Sequence, residues 1–189
     1  MAGRYDAVGG APCTTAGGAG HLLRCALDLP AEPEATARAA EALAQELPLG
    51  AEVHVSVLQR CELLAQCLRG LRPDLIFKPE PRLVEMHFGQ HEGVAWADIR
   101  KEAVDAWTAD FWHHRFGGQE SLAEFMGRVG AVWDACLPVR AAGQVQVWIT
   151  HAGVARAVTL LAQGIRRVDR AEQWPAHAPA YGAWLRVLP

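Results

Sequence analysis

Val145-Gln146-Val147-Trp148-Ile149-Thr150-His151-Ala152-Gly153 is an apolar run that breaks off at a histidine and two small residues. A helical composition follows at once, from Val154 to about Gln163. β-Branched and aromatic residues set off by Gly143 predict a strand here. In open α/β sheets, ligands bind beyond the carboxyl ends of strands, so His151 is aimed into a crevice. Ala152 and Gly153 let the backbone approach a ligand, and the first N–H groups of the next helix suit an anion. A histidine that merely caps the helix is the plainer alternative. Position, neighbours and element order together favour the functional one.

Working outward, strands alternate with helices. Glu34–Leu47 and Leu58–Leu71 have helical composition, the second with Leu58, Cys61, Leu64, Ala65 and Leu68 on one side. Val53–Val55 and Leu75–Phe77 are short strands, the second stopped by Pro79. Ala97–Phe111 and Leu122–Cys136 are amphipathic helices. Ser121 with Glu124 three residues later forms a capping box at the start of the second. Tyr181–Leu188 reads as a last strand. The pattern predicts a three-layer α/β/α sandwich with a mainly parallel sheet.

The 189 residues suffice for one domain with a sizeable core. A net charge of −3 argues against a nucleic-acid footprint. No apolar run is long enough to span a membrane, and no signal-peptide h-region opens the chain. The five cysteines, Cys13, Cys25, Cys61, Cys67 and Cys136, have no framework spacing. That suits a reducing cytoplasm, the expected location.

Two further stretches carry chemistry. Ser56-Val57-Leu58-Gln59-Arg60-Cys61 follows a strand and sets Arg60 in the first turn of a helix, where a guanidinium can fork phosphate oxygens. A solvated ion pair is its plain alternative. Glu85-Met86-His87-Phe88-Gly89-Gln90-His91-Glu92-Gly93 is a loop with two carboxylates and two histidines. A carboxyl beside a bound phosphate dianion has its pKa raised by like charge and partial burial and can act as a general acid. Otherwise Phe88 fills the core and Glu85 sits in water.

Taken in order, these motifs resemble the histidine phosphatase superfamily, which is phosphoglycerate mutase-like in fold. The resemblance covers about Asp28 to the C-terminus. Ser56, Leu58 and Arg60 match its Ser-x-Leu-x-Arg element. Glu85, Phe88, Gly89, Glu92 and Gly93 match Glu-x-x-Phe-Gly-x-x-Glu-Gly. Gly118, Glu120 and Ser121 match a Gly-Glu-Ser segment interrupted by Gln119, and His151 and Gly153 match His-x-Gly. The resemblance implies a phosphomonoester hydrolase that works through a phosphohistidine, with no metal or other cofactor. In it Arg60 binds phosphate, Glu85 protonates the leaving oxygen, and His151 binds the phosphoryl group and steadies its charge. The expected partner is a small phosphorylated metabolite, not nucleic acid or membrane. Chain length and a compact insert resemble the small phosphatase branch that includes α-ribazole phosphatase.

One family element is missing. No Arg-His pair occurs in residues 1–30, and His21 follows no strand. Residues 1–26 therefore read as an aberrant or disordered segment, residues 27–189 as the phosphatase-like domain, and the first strand as lost or altered. Shifting the reading frame by one base explains the anomaly. Codons spanning Ala11 to Thr14 then permit Arg-His-Ala, preceded by Met-Thr-Leu-Trp-Val-Val, with an insertion or deletion near Leu27 restoring the frame. The chain as written lacks the phosphate-accepting histidine and is expected to be nearly inactive.

The rival is a pseudophosphatase that binds a phosphorylated ligand or a partner without turnover. A metal site from His87, His91, His113 and His114 is disfavoured, because Gly89 interrupts the first pair. Serine hydrolysis lacks a Gly-x-Ser-x-Gly elbow. Trp96, Trp107, Trp112 and Trp133 are read as packing residues, although Trp107, Trp112 or His114 could line the substrate mouth.

Overall fold

The computed structural model describes residues 5–9 as backbone and residues 27–141, 144–180 and 182–187; it does not describe the side chains of 140 and 141. Its sheet is built around β4 (Gln146–Thr150), every residue of which is buried. The strand order is β3 (Ile76–Pro79), β2 (Glu52–Val55), β4, β1 (Tyr5–Gly9), β5 (Trp184–Val187). β1, β2, β3 and β4 run parallel, and β5 joins β1 antiparallel.

Strand side chains alternate between faces, and β4 shows why both faces need cover. Val147 and Ile149 enter one core with Val53, Val55, Leu43, Leu64 and Leu68, under α1 (Pro33–Glu46) and α2 (Gln59–Leu71). Trp148 enters the other with Phe125, Val129, Trp133, Val158 and Leu161, under α4 (Leu122–Ala135) and α6 (Ala152–Ala162). These are the three layers that the alternating pattern implied. Between β3 and α4 runs an irregular stretch with α3 (Lys101–Ala109), shorter than the helix expected over 97–111. Trp96–Asp98 is instead a separate 3-10 turn. After α4 comes the short α5 (Leu137–Ala141).

Local signals hold where they are strong. Ser121 accepts the Glu124 N–H while Glu124 accepts the Ser121 N–H, which is the anticipated capping box. The first strand, expected to be lost or altered, is not lost. Tyr5–Gly9 occupies a slot in the sheet, in register from Tyr5 opposite Gln146 to Gly9 opposite Thr150. A slot between two strands offers two ladders of backbone hydrogen bonds, and these do not depend on side-chain identity. Residues 10–26, with His21, Cys13 and Cys25, lie outside the described residues.

Among the described residues no helix is long and apolar enough to cross a membrane. Cys61 and Cys136 are buried thiols and Cys67 is partly covered, as small apolar side chains would be.

Candidate active site

β2 and β4 are parallel neighbours, so their carboxyl ends open on the same rim. Ser56 follows β2 and His151 follows β4. Leu58 caps α2 without a side-chain bond, but Asp28 accepts the Gln59 N–H at 2.6 Å and closes the first turn. That turn carries Arg60 inward. Arg60 Nε donates to His151 Nδ1 at 3.1 Å and its Nη1 to the Leu27 carbonyl at 2.8 Å. Arg60 is 7% exposed and His151 4%, so this is no surface ion pair.

Arg60 Nε can only donate, so His151 Nδ1 must accept, and the proton of the neutral ring sits on Nε2. From there it points at Ser56 Oγ, 2.8 Å away. Burial, then the positive charges of Arg60 and Arg128, hold His151 well below the usual histidine range. The Cys61 thiol lies 3.6 Å from Nε2 and burial pushes its pKa up to about 12, so it is a neutral neighbour.

Glu85 reaches the same place from the loop after β3. Its Oε2 accepts the Gly153 N–H at 2.9 Å and its Oε1 accepts its neighbour Met86's N–H at 3.0 Å. Gly153 is required here: a Cβ on it would stand 2.2 Å from Glu85 Oε1 and 3.0 Å from Cδ. Burial raises the Glu85 pKa despite the two N–H donors and the charges of Arg60 and Arg128, all of which pull it down.

The two groups pull stability in opposite directions with pH. An unfolded chain ionises Glu85 above about 4.5 while the fold retains the proton, so stability falls as pH rises toward the folded value. An unfolded chain protonates His151 below about 6.5 while the fold resists, so stability falls as pH drops through that point. Glu85→Gln removes the first loss. Its melting temperature relative to the parent should therefore climb between pH 4 and pH 8, and a flat difference would show that Glu85 ionises freely in the fold.

Arg60, Glu85 and His151 thus meet at one rim, on the first turn of α2, one loop and the start of α6. Together they supply a fixed cation, a neutral imidazole and a carboxyl whose pKa burial raises. A cavity of about 380 Å³ flanks the acid, lined by Glu85, His87, Gln119, Glu120 and Arg128 among others. Sequence reading missed Arg128, which sits in the middle of α4 with no local signal around it. It also left the tryptophans open. Trp107 stacks on Phe116 at 4.5 Å within an aromatic cluster with Phe88, Trp96 and Phe111. Trp112 lines a different cavity with Met126 and Arg166, one that none of the three site residues borders. His91 packs tilted against Phe116 and His87 accepts the Gly89 N–H. Among the described residues no group of three or more ligand-type side chains is placed to hold a metal.

The sequence profile of the histidine phosphatase superfamily (branch 1) matches residues 24–180. No curated protein matches the chain. Among solved structures, a mycobacterial glucosyl-3-phosphoglycerate phosphatase superposes with a TM-score of 0.76 at 21% identity, covering 98% of this chain and 90% of that one. A protein described as mycobacterial hydrolase 2 gives 0.77 at 22%, covering 98% and 81%. TTHB049 from Thermus thermophilus gives 0.67 at 25%, covering 97% and 92%. These superpositions establish the shared fold.

Proposed function

This chain belongs to the histidine phosphatase superfamily (branch 1), and from that premise we propose that its site is built for metal-independent hydrolysis of a small phosphomonoester through a phosphohistidine. The observation that carries the reading is the Arg60–His151 contact at 3.1 Å with the Glu85 carboxyl seated on Gly153, two residues along. In this reading Arg60 binds phosphoryl oxygens, His151 stabilises the charge that builds on them, and Glu85 gives its proton to the leaving oxygen. Branch membership near α-ribazole phosphatase is part of the proposal. It rests on chain length and the compact stretch between β3 and α4.

The nucleophile belongs just after β1. Gly9, the last residue of β1, pairs with Thr150, which precedes His151. The sequence after Gly9 reads Gly10, Ala11 and Pro12, with no histidine. We attribute this to a wrong-frame segment. The family match begins only at residue 24. The shifted frame would put an apolar strand over codons overlapping residues 5–9 and Arg-His immediately after it. If instead residues 1–26 are genuine, the chain is a binder without turnover. The strand at Tyr5–Gly9 fits either reading, because its backbone ladders do not depend on side-chain identity.

Anion binding tests what both readings share. VO3 and inorganic phosphate have each been seen bound to the mycobacterial glucosyl-3-phosphoglycerate phosphatase, which makes orthovanadate a suitable probe. Calorimetric titration should show one site, and Arg60→Ala should weaken it about 10- to 100-fold, the worth of one or two charge-assisted hydrogen bonds. Equal binding by parent and variant would remove Arg60 from the site.

A further inference from the structure

A guanidinium carries five N–H donors, and in Arg128 each has an acceptor. Nε donates to Glu120 Oε1 at 2.7 Å and Nη2 to Glu120 Oε2 at 3.0 Å. Nη1 donates to the carbonyls of Arg82 at 2.7 Å and Val84 at 2.6 Å, and Nη2 to the carbonyl of Glu85 itself at 3.0 Å. Glu120 completes the brace, since its Oε2 accepts the His87 N–H at 3.1 Å and its own N–H donates to the His87 carbonyl at 3.3 Å. Thr150, next to His151, donates to the Leu83 carbonyl between them at 2.7 Å. Carbonyls 82, 83, 84, 85 and 87 are thus all bonded from outside the loop. The Arg128 and Glu120 side chains are only 19% and 16% exposed, so solvent competes weakly for these bonds.

We infer that Arg128, braced by Glu120, is a positioning residue that holds the Glu85 loop so that the carboxyl stays seated on Gly153 at the reaction centre. This rests on the reading of Glu85 as the acid. Lysine keeps the charge of Arg128, but its ammonium has three donors and no planar fork, so it cannot span the same set of carbonyls. Glutamine at 120 keeps shape and one acceptor, but lacks the charge that fixes the fork.

The test follows the Glu85 carboxyl by carbon-13 NMR in the whole chain, the resonance being identified by its loss in Glu85→Gln. Other charged or titratable groups that face it are Arg60 and Cys61 from α2, Arg128 from α4, and His151 before α6. The parent should titrate above the ordinary glutamate range. Arg128→Lys and Glu120→Gln should each lower the midpoint toward the ordinary glutamate range, because a loosened loop admits water to a carboxyl raised mainly by burial. The Gly153 amide should lose its matching pH-dependent shift. A residue that only stabilises the fold would lower the melting temperature and leave both profiles alone; that result in folded variants overturns the proposal. Should Arg128→Lys not fold, the isosteric Glu120→Gln decides alone. A parent Glu85 that titrates as an ordinary exposed carboxyl would instead sink the acid reading itself, whatever the variants do.

Discussion

Exchanging residues 1–26 for the shifted-frame segment should raise the hydrolysis of p-nitrophenyl phosphate in the presence of a chelator by about a millionfold, the scale on which removing a nucleophile silences a coupled catalytic unit. Arg60, His151 and Glu85 are already assembled in this chain, so the exchange adds a histidine to groups that are in place. The strand slot beside β4 is the natural point of delivery, because Gly9 lies opposite Thr150, the residue before His151. Acid quench of the restored protein after a brief incubation should trap phosphate on the histidine that the new segment introduces. The gene's nucleotide sequence gives an independent answer: a stop codon in the shifted frame, or no Arg-His within it, ends the proposal. Strong turnover by the chain as written would end it equally, and would require a nucleophile other than the one inferred.

Gly153→Ala is expected to cost about 100-fold or more in kcat on an alkyl phosphate in the restored protein, at the lower end of what general acid catalysis supplies. The cause is steric and local. The added Cβ would stand 2.2 Å from Glu85 Oε1, and the buried carboxyl is tethered on both sides, by the Met86 N–H on Oε1 and by the Arg128 bond to the Glu85 carbonyl. The acid must leave its seat and lose the Gly153 N–H. Nitrophenyl phosphate, whose leaving group needs little protonation, should lose far less. That split between the two substrates separates a displaced acid from a damaged phosphate pocket. Equal losses on both would place the defect at Arg60 or His151 instead.

Glu85 shows how far reading along the chain could go. Its spacing from Phe88, Gly89, Glu92 and Gly93 carried the resemblance, and its raised pKa was anticipated from a neighbouring phosphate together with partial burial. The structure supplies the second cause, with burial the largest influence on the carboxyl. That Arg60, Glu85 and His151 converge on one rim was implied by the resemblance, but the direct Arg60–His151 bond across 91 positions was beyond sequence. Cavity walls behaved likewise. Trp112, a candidate for the substrate mouth, lines a separate hollow against α4.

What the sequence determined by itself was everything governed by near neighbours. That covers the alternation of strands and helices, the Ser121–Glu124 cap, the helix starting just past His151, and the order of the motifs. Backbone propensity and hydrogen bonds within a turn act over a few residues, so their traces stay contiguous. Tertiary structure alone decided that Tyr5–Gly9 pairs with β4 and β5, that Gly153 is the seat of Glu85, and that Arg128 grips a loop 43 positions away. Those outcomes depend on which donors and acceptors compaction brings within about 3 Å of one another, and no periodicity along a chain records that distance.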